Sequence, residues 1–203
     1  MSSLSMQAAI GCNQGVHYNR NQGVIMTQHL TSSEAWWDKV REDEKKLIAW
    51  LKKQYHGEVT AAQRIDLFDK TYCKGSVDHV ILQIIARQER KHAIWVGELL
   101  TSRGVAPELL VKKERYWDVT LSGIEDFATG AAVASHAERM RLERIRVIAS
   151  HPDSPSDIRR VFQKILPEEL FHERAFAKMA GTEALEKTRA AHQNGRNALG
   201  LVN

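Results

Sequence analysis

A glutamate and a histidine three residues apart, Glu89 and His92, lie on the apolar face of a helix predicted over residues 84–99. Side chains three or four residues apart share one helical face. The apolar residues on this face are Ile81, Ile85, Val96 and Leu99. A carboxylate and an imidazole are therefore expected in the core, where an unpaired carboxylate costs on the order of several kcal/mol. They need partners there, or a metal.

The same pair of residues recurs 80 positions later, as Glu169 and His172 on a second predicted helix. A lone glutamate precedes each E-x-x-H pair by 31 residues: Glu58 in the first half and Glu138 in the second. In an antiparallel helix pair, residues equally far from the connecting turn lie at one height. Each half has its two glutamates centred on a predicted turn, so we expect one polar layer formed by Glu58, Glu89, His92, Glu138, Glu169 and His172.

The elements that position this layer are predicted to be helices. Apolar periodicity indicates four long helices and a short fifth one, at about 34–72, 78–103, 117–150, 157–180 and 183–192. Thr31 and Glu34 have capping-box spacing at the start of the first helix, and Gly57 is the expected place for a kink or break in it.

Short turns within each helix pair, and a longer link between the pairs, predict the architecture. The fold class is all-α: an antiparallel four-helix bundle with one long crossover and two pseudo-repeats of a helix pair. Residues 1–33, rich in Asn, Gln, Gly and Ser, are expected to be a flexible leader, 34–181 the bundle, and 182–203 a short C-terminal helix and tail.

Composition narrows the class of protein. The 203 residues are 43% hydrophobic and 27% charged, enough for one globular domain with a substantial core. No apolar run approaches a membrane span and no signal peptide is evident, which favours a cytoplasmic protein with no membrane partner. Cys12 and Cys73 are too few for thiolate-rich zinc ligation. The net charge of +4 comes from interleaved charges and favours an acidic partner only mildly.

Four carboxylates and two imidazoles in one dry layer suit two divalent metal ions. The two cations neutralise the four carboxylates, and residues at i and i+3 allow one helix to offer both Glu and His to the same cluster. Oxygen-rich ligation with one imidazole per metal favours iron or manganese.

The doubled pattern of one Glu followed by E-x-x-H, over roughly residues 36–180, resembles the ferritin-like di-iron carboxylate superfamily. Within that group, ERKHAIWVGELL at 89–100 resembles the second helix of rubrerythrin. The resemblance implies two iron ions, with manganese or a mixed Mn/Fe pair left open. It implies a bridging role for Glu89 and Glu169, with Glu58 and His92 on one metal and Glu138 and His172 on the other.

The same resemblance implies a di-iron oxidoreductase that activates dioxygen or hydrogen peroxide. Rubrerythrin proper also carries a four-cysteine rubredoxin module, which the two cysteines of this sequence cannot form, so an external electron donor is expected. Three alternatives stay open: a hydroxylase or oxygenase acting on tRNA or a small molecule, an iron-storage or iron-handling protein, and a manganese catalase. The hydroxylase predicts an apolar or basic channel to the metals. A homodimer is also left open.

Other repeated polar residues are interpreted as structural. His56 and His136 precede the lone glutamates by two residues, about 200° around the helix, and are expected to pack or to lie at the surface. Arg64 and Arg144 follow them by six residues and are expected in exposed ion pairs.

Overall fold

The fold is described by a computed structural model covering residues 32–111 and 114–199, apart from the side chain of Ser76. The elements are α1 (Ser33–Arg41), α2 (Glu44–Tyr72), α3 (Ser76–Thr101), α4 (Arg115–Thr120), a 3₁₀ turn (Leu121–Gly123), α5 (Phe127–Ser150) and α6 (Ser156–Ala198). The described residues contain no strand, so the all-α prediction is confirmed. None of the described helices combines the length and apolarity needed to cross a membrane.

Two helix hairpins form the bundle. Short turns at 73–75 and 151–155 make α2 antiparallel to α3 and α5 antiparallel to α6, and each hairpin packs along its length. Helix α3 also contacts α6, which joins the hairpins. Between them, residues 102–126 form the long crossover that carries α4, and α4 packs on α6. The predicted four-helix bundle with one crossover is thus confirmed.

The prediction of one uninterrupted helix over 34–72 is wrong, because the helix is interrupted at Glu42 and Asp43, between α1 and α2. The Asp43 carboxylate accepts a hydrogen bond of 3.1 Å from the Lys46 backbone N–H and begins α2 there. An N-cap of this kind satisfies an amide that a helix start leaves open. Gly57, the expected kink, lies inside α2.

The start of the bundle is capped one residue later than expected. The Ser32 hydroxyl accepts a hydrogen bond of 3.1 Å from the Ala35 backbone N–H, and α1 begins at Ser33. Thr31, the expected cap, lies outside the described residues, as does the predicted leader up to that position.

The third predicted helix, 117–150, is also divided. Helix α4 and the 3₁₀ turn end before a capping box that begins α5: the Thr129 backbone N–H donates to the Asp126 carboxylate at 2.8 Å, and the Asp126 backbone N–H donates to the Thr129 hydroxyl at 3.0 Å. This reciprocal pair fixes the start of the helix more strongly than apolar periodicity does.

The fourth helix is longer than predicted. Helix α6 continues past position 180 to Ala198, with a single non-helical residue at Gly181, where φ is 70° and ψ is 168°. A positive φ of this size favours glycine. The separate helix predicted at 183–192 is therefore the last part of α6, kinked at Gly181, and residues 200–203 lie outside the described part of the chain.

Apolar side chains pack on both sides of the polar layer. One cluster is centred on Trp37, Trp50 and Phe162, whose rings contact one another through Trp50 at centroid distances of 5.1 and 5.3 Å. The other contains Phe68 and Phe176. On each of the four long helices the polar positions lie between the residues of these clusters, so the layer is enclosed from both ends.

Gly130 is tightly packed and Gly57 has open space beside it, so the two glycines test the packing of α5 on α2. A Cβ at Gly130 would overlap the Phe68 ring, whereas a Cβ at Gly57 meets no described atom within 4 Å. We expect Gly130→Ala to lower the free energy of unfolding by about 1–3 kcal/mol through overpacking. Gly57→Ala is expected to raise it by about 0.5–1 kcal/mol, since alanine favours the helix. Urea unfolding measures both, and equal effects would contradict the packing of α5 on α2.

Candidate metal centre

The structure brings all six predicted polar side chains into one layer of the bundle. Five of them have no solvent exposure, and Glu138 retains 5%. They come from the four long helices: Glu58 from α2, Glu89 and His92 from α3, Glu138 from α5, and Glu169 and His172 from α6.

Two overlapping groups of potential ligands occupy this layer. Within each group one ligand atom per residue lies within 4.8 Å of all the others. The first group contains Glu58 and His92, the second contains Glu138 and His172, and both contain Glu89 and Glu169. The two shared carboxylates therefore lie where ligands common to two ions have to be, although their assignment as ligands stays a prediction.

Several polar atoms in the layer are buried but have no hydrogen-bond partner among the described residues. They are both carboxylate oxygens of Glu89, one of Glu169, and Nδ1 of His92 and of His172. Buried polar atoms are almost always hydrogen-bonded, so a concentration of exceptions needs an explanation. Converging carboxylate oxygens and imidazole nitrogens match the donor set of a divalent metal. The residues therefore fit two metal ions.

The outer nitrogen of each histidine is held by a neighbouring side chain. Nε2 of His92 lies 2.9 Å from a Glu168 carboxylate oxygen, and Nε2 of His172 lies 2.9 Å from the Gln88 amide oxygen. An acceptor at Nε2 stabilises the tautomer in which Nδ1 carries the lone pair. Both Nδ1 atoms then face the carboxylates, with His172 Nδ1 at 3.1 Å from Glu89 Oε1.

These two orienting residues were not among the predicted site residues, yet the repeat contains a signal for them. Gln88 and Glu168 are also 80 positions apart, and each directly precedes a layer glutamate. Their types differ, so identity between the halves did not reveal them. What they share is a side-chain oxygen that can accept the histidine N–H.

Removing one acceptor should weaken metal binding. We expect Glu168→Ala to lower metal affinity about 10- to 100-fold, because the His92 ring loses its orientation, while Glu168→Gln keeps an acceptor and stays close to wild type. Competition with a chromophoric chelator measures the affinity. Glu98→Ala, at an exposed position of α3, is the control. Equal affinity in the two Glu168 variants would contradict the orienting role.

A guanidinium also enters the layer. Arg141 Nη2 lies 2.6 Å from Glu58 Oε2 and 3.1 Å from Glu169 Oε1, and Nη1 lies 3.4 Å from Glu138 Oε2. The side chain is 23% exposed, so it reaches the layer from the side of the bundle. No repeat marks this residue in the sequence, because its counterpart in the first half is Ala61.

Burial and Arg141 act in opposite directions on the four carboxyl groups. Burial, reinforced by the charge of Glu169, raises the pKa of Glu89 and of Glu138 well above the ordinary range. Burial acts in the same direction on Glu58 and Glu169, but Arg141 and hydrogen bonds within the layer outweigh it and lower the pKa of both. The layer therefore holds protons most tightly on Glu89 and Glu138.

Comparison with known proteins gives the family. A family model described as Rubrerythrin matches residues 50–180, which include both halves of the repeat and the whole polar layer. The chain belongs to the rubrerythrin family. The resemblance to the ferritin-like di-iron carboxylate group is thereby confirmed, and the buried cluster fits the di-metal site of a rubrerythrin-family protein. Neither the comparison with curated proteins nor that with solved structures finds a match.

The repeated histidines of this rubrerythrin-family chain lie outside the layer, as expected. Nε2 of His56 is 2.7 Å from a Glu114 carboxylate oxygen, and Nε2 of His136 is 3.1 Å from the Thr188 hydroxyl. Both are buried, so they pack inside the protein and do not lie at its surface.

The two repeated arginines lie at the edge of the bundle and not in the layer. Arg64 forms an ion pair of 2.9 Å with Glu114 and lies over the Trp117 ring at 4.6 Å, and Arg144 lies over the Trp36 ring at 4.2 Å. In this rubrerythrin-family protein the cation that contacts the carboxylates is therefore Arg141, and not one of the repeated arginines.

Proposed function

We propose that this rubrerythrin-family protein is a di-iron oxidoreductase that activates dioxygen or hydrogen peroxide. The observation that carries the proposal is the set of buried ligand atoms without hydrogen-bond partners among the described residues, which converge on two overlapping groups. Glu89 and Glu169 are the proposed bridging ligands. Glu58 with His92, and Glu138 with His172, complete the two sites. A manganese or mixed pair would use the same donors.

When bound, two adjacent redox-active ions would supply the two electrons that reduction of peroxide, or the first stage of dioxygen reduction, requires. The protein contributes position and environment. Glu168 and Gln88 orient the histidines, and the apolar clusters at both ends of the layer limit access of water to it. Arg141 is the one cation of the described residues that contacts the proposed ligands, and it offsets their negative charge.

Reducing equivalents are proposed to come from an external donor. Trp95 supports a route for them, because its partly exposed ring stacks on His92 with centroids 5.8 Å apart and planes 30° apart. Lys91 and Lys164 lie over the same ring, at 5.0 and 5.6 Å from its centroid. Lys91 is ion-paired with Glu168, so the positive charge that favours an acidic donor here is that of Lys164.

A second candidate function, an oxygenase acting on an organic substrate, is favoured by one further observation. A cavity of about 130 Å³ with mainly apolar walls reaches Glu138 and Arg141 from the side of the bundle. An apolar or basic channel to the metals is what a substrate oxygenase predicts. Iron storage has no comparable support from the described residues.

The proposed activity is tested by loading the protein with ferrous ion under anaerobic conditions and mixing it with dioxygen or hydrogen peroxide. We expect a near-ultraviolet ferric absorption band to form much faster than with the same ferrous concentration and a Glu89→Ala/Glu169→Ala variant. Oxygen consumption is recorded in parallel. Equal oxidation rates for wild type and variant would overturn the proposal.

A further inference from the structure

The cavity beside the polar layer has distinct ends. Its mouth is formed by partly exposed residues of α2 and the crossover, including Arg64, Glu114 and Trp117. Phe68 and Phe176, each almost fully buried, line its apolar wall. At the end next to the polar layer, called the inner end below, lie Glu138, which belongs to the proposed metal centre, and Arg141. A molecule in the cavity therefore contacts an apolar wall that lies between two charged ends.

We infer that this cavity binds a small organic monocarboxylate, with its apolar body against Phe68 and Phe176 and its carboxylate on Arg141. The inference deepens the proposed function and rests on it, because it depends on the metal-loaded state of the layer. It identifies the substrate class of the site as an apolar or aromatic acid.

Charge balance is the first argument for an anion. With two to four of Glu58, Glu89, Glu138 and Glu169 ionised, these residues and Arg141 together carry one to three negative charges, which would repel an organic acid. Two divalent cations bound to four ionised carboxylates would change this total to one positive charge. The metals also take over neutralisation of the carboxylates that now hold Arg141, at 2.6 and 3.1 Å. Arg141 then has hydrogen-bonding capacity for a ligand in the cavity that it lines.

The arginines at the two ends are not equivalent. Arg64, at the mouth, is neutralised by Glu114 at 2.9 Å, so it offers little attraction to an anion. Arg141 is the cation at the inner end, and its guanidinium can form two parallel hydrogen bonds to a carboxylate. The apolar wall between the two ends disfavours a ligand with further charges.

The volume and the lining of the cavity determine which apolar group a ligand can place there. The volume of about 130 Å³ is close to that of apolar protein cavities that hold a benzene molecule, for which about 150 Å³ is representative. A single aromatic ring or a short branched chain fits against the aromatic wall. The partly exposed mouth allows a longer ligand to extend outwards, past Trp117.

Calorimetric titration with benzoate tests the inference, with benzamide as the neutral ligand of the same shape. The full chain is loaded anaerobically with two manganous ions, so that binding is measured without turnover. We expect benzoate to bind at least about tenfold more tightly than benzamide. Benzoate should also bind at least about tenfold more weakly to the metal-free protein. Arg141→Gln should reduce benzoate affinity to the level of benzamide.

A cavity-filling variant locates the site. Ala134 lines the cavity, and we expect Ala134→Phe to weaken benzoate binding at least about tenfold while the protein keeps two manganese ions per chain. Ala49→Phe, at an exposed position of α2, is the control and should bind benzoate as wild type does.

The outcomes separate this inference from the proposed function. If the protein binds no metal, both fail. If it binds two metals but does not prefer benzoate over benzamide, or binds benzoate equally well after Arg141→Gln or Ala134→Phe, the inference is overturned and the proposed metal centre stands. Equal benzoate affinity with and without metal would also overturn it, because the charge argument would be wrong.

Discussion

Replacing both Glu89 and Glu169 with alanine is expected to reduce the metal content from two ions per chain to nearly zero. These carboxylates belong to both ligand groups, so their loss removes two donors from each site and the charge that balances the cations. Either single replacement should also abolish binding of both ions. Elemental analysis after anaerobic loading and removal of free metal measures the result.

Two further variants make this result specific. Glu58→Ala removes a ligand from one group only, and should weaken mainly the binding of the ion that Glu58 shares with His92. Glu98→Ala, at an exposed position of α3, should keep two ions. Two metals retained by the double variant at Glu89 and Glu169 would contradict the ligand assignment.

Replacement of Arg141 with methionine is expected to destabilise the metal-free protein by about 3 kcal/mol at about pH 7.5, since it leaves buried carboxylates without their cation. Urea unfolding in the presence of a chelator measures this loss. Arg139→Met is the matched control: this side chain lies on the same helix, is 61% exposed and pairs only with Glu173 among the described residues, so about 0–1 kcal/mol is expected.

The loss should depend on pH in a defined direction. The pKa values of Glu58 and Glu169 are lowered in the folded protein, so their contribution to stability is present above the unfolded pKa and is lost as the pH falls through the folded pKa. Without Arg141 both pKa values rise, and the variant carries a penalty that grows with pH. The difference from wild type should therefore shrink between about pH 7.5 and about pH 5.

Metal ions should reverse the effect of the Arg141 replacement. Two divalent cations supply the positive charge that the variant lacks, so the gain in melting temperature on adding manganous ion should be larger for Arg141→Met than for wild type. A pH-independent loss of stability, or an equal metal-induced gain, would contradict the electrostatic role of Arg141.

The polar layer could be predicted from the sequence because its residues are periodic and repeated. Glu89 and His92 interrupt an apolar helical face, and the repeat at 80 residues points to Glu169 and His172. Arg141 could not be predicted in this way. Its counterpart is Ala61, and a long flexible side chain at the edge of a bundle can reach either solvent or the interior.

Like the position of Arg141, the exact helix boundaries could not be predicted from the sequence pattern. Apolar periodicity continues across Asp43 and across the segment before Asp126, so it predicts uninterrupted helices there. The structure begins new helices at both positions because the aspartate side chains cap backbone amides. At Gly181 the predicted interruption is present, but α6 resumes and continues to Ala198. Side-chain capping and tertiary packing thus determine helix boundaries that apolar periodicity does not predict.

The claim that the polar layer binds two metal ions is decided by the metal content per chain. The protein is expressed with iron and manganese both supplied, freed of loosely bound metal, and analysed for both elements. We predict two ions per chain, mainly iron, and a higher melting temperature with metal than without it. No bound metal, together with no gain in melting temperature on adding ferrous or manganous ion, would contradict the claim and leave the six residues as a buried polar layer.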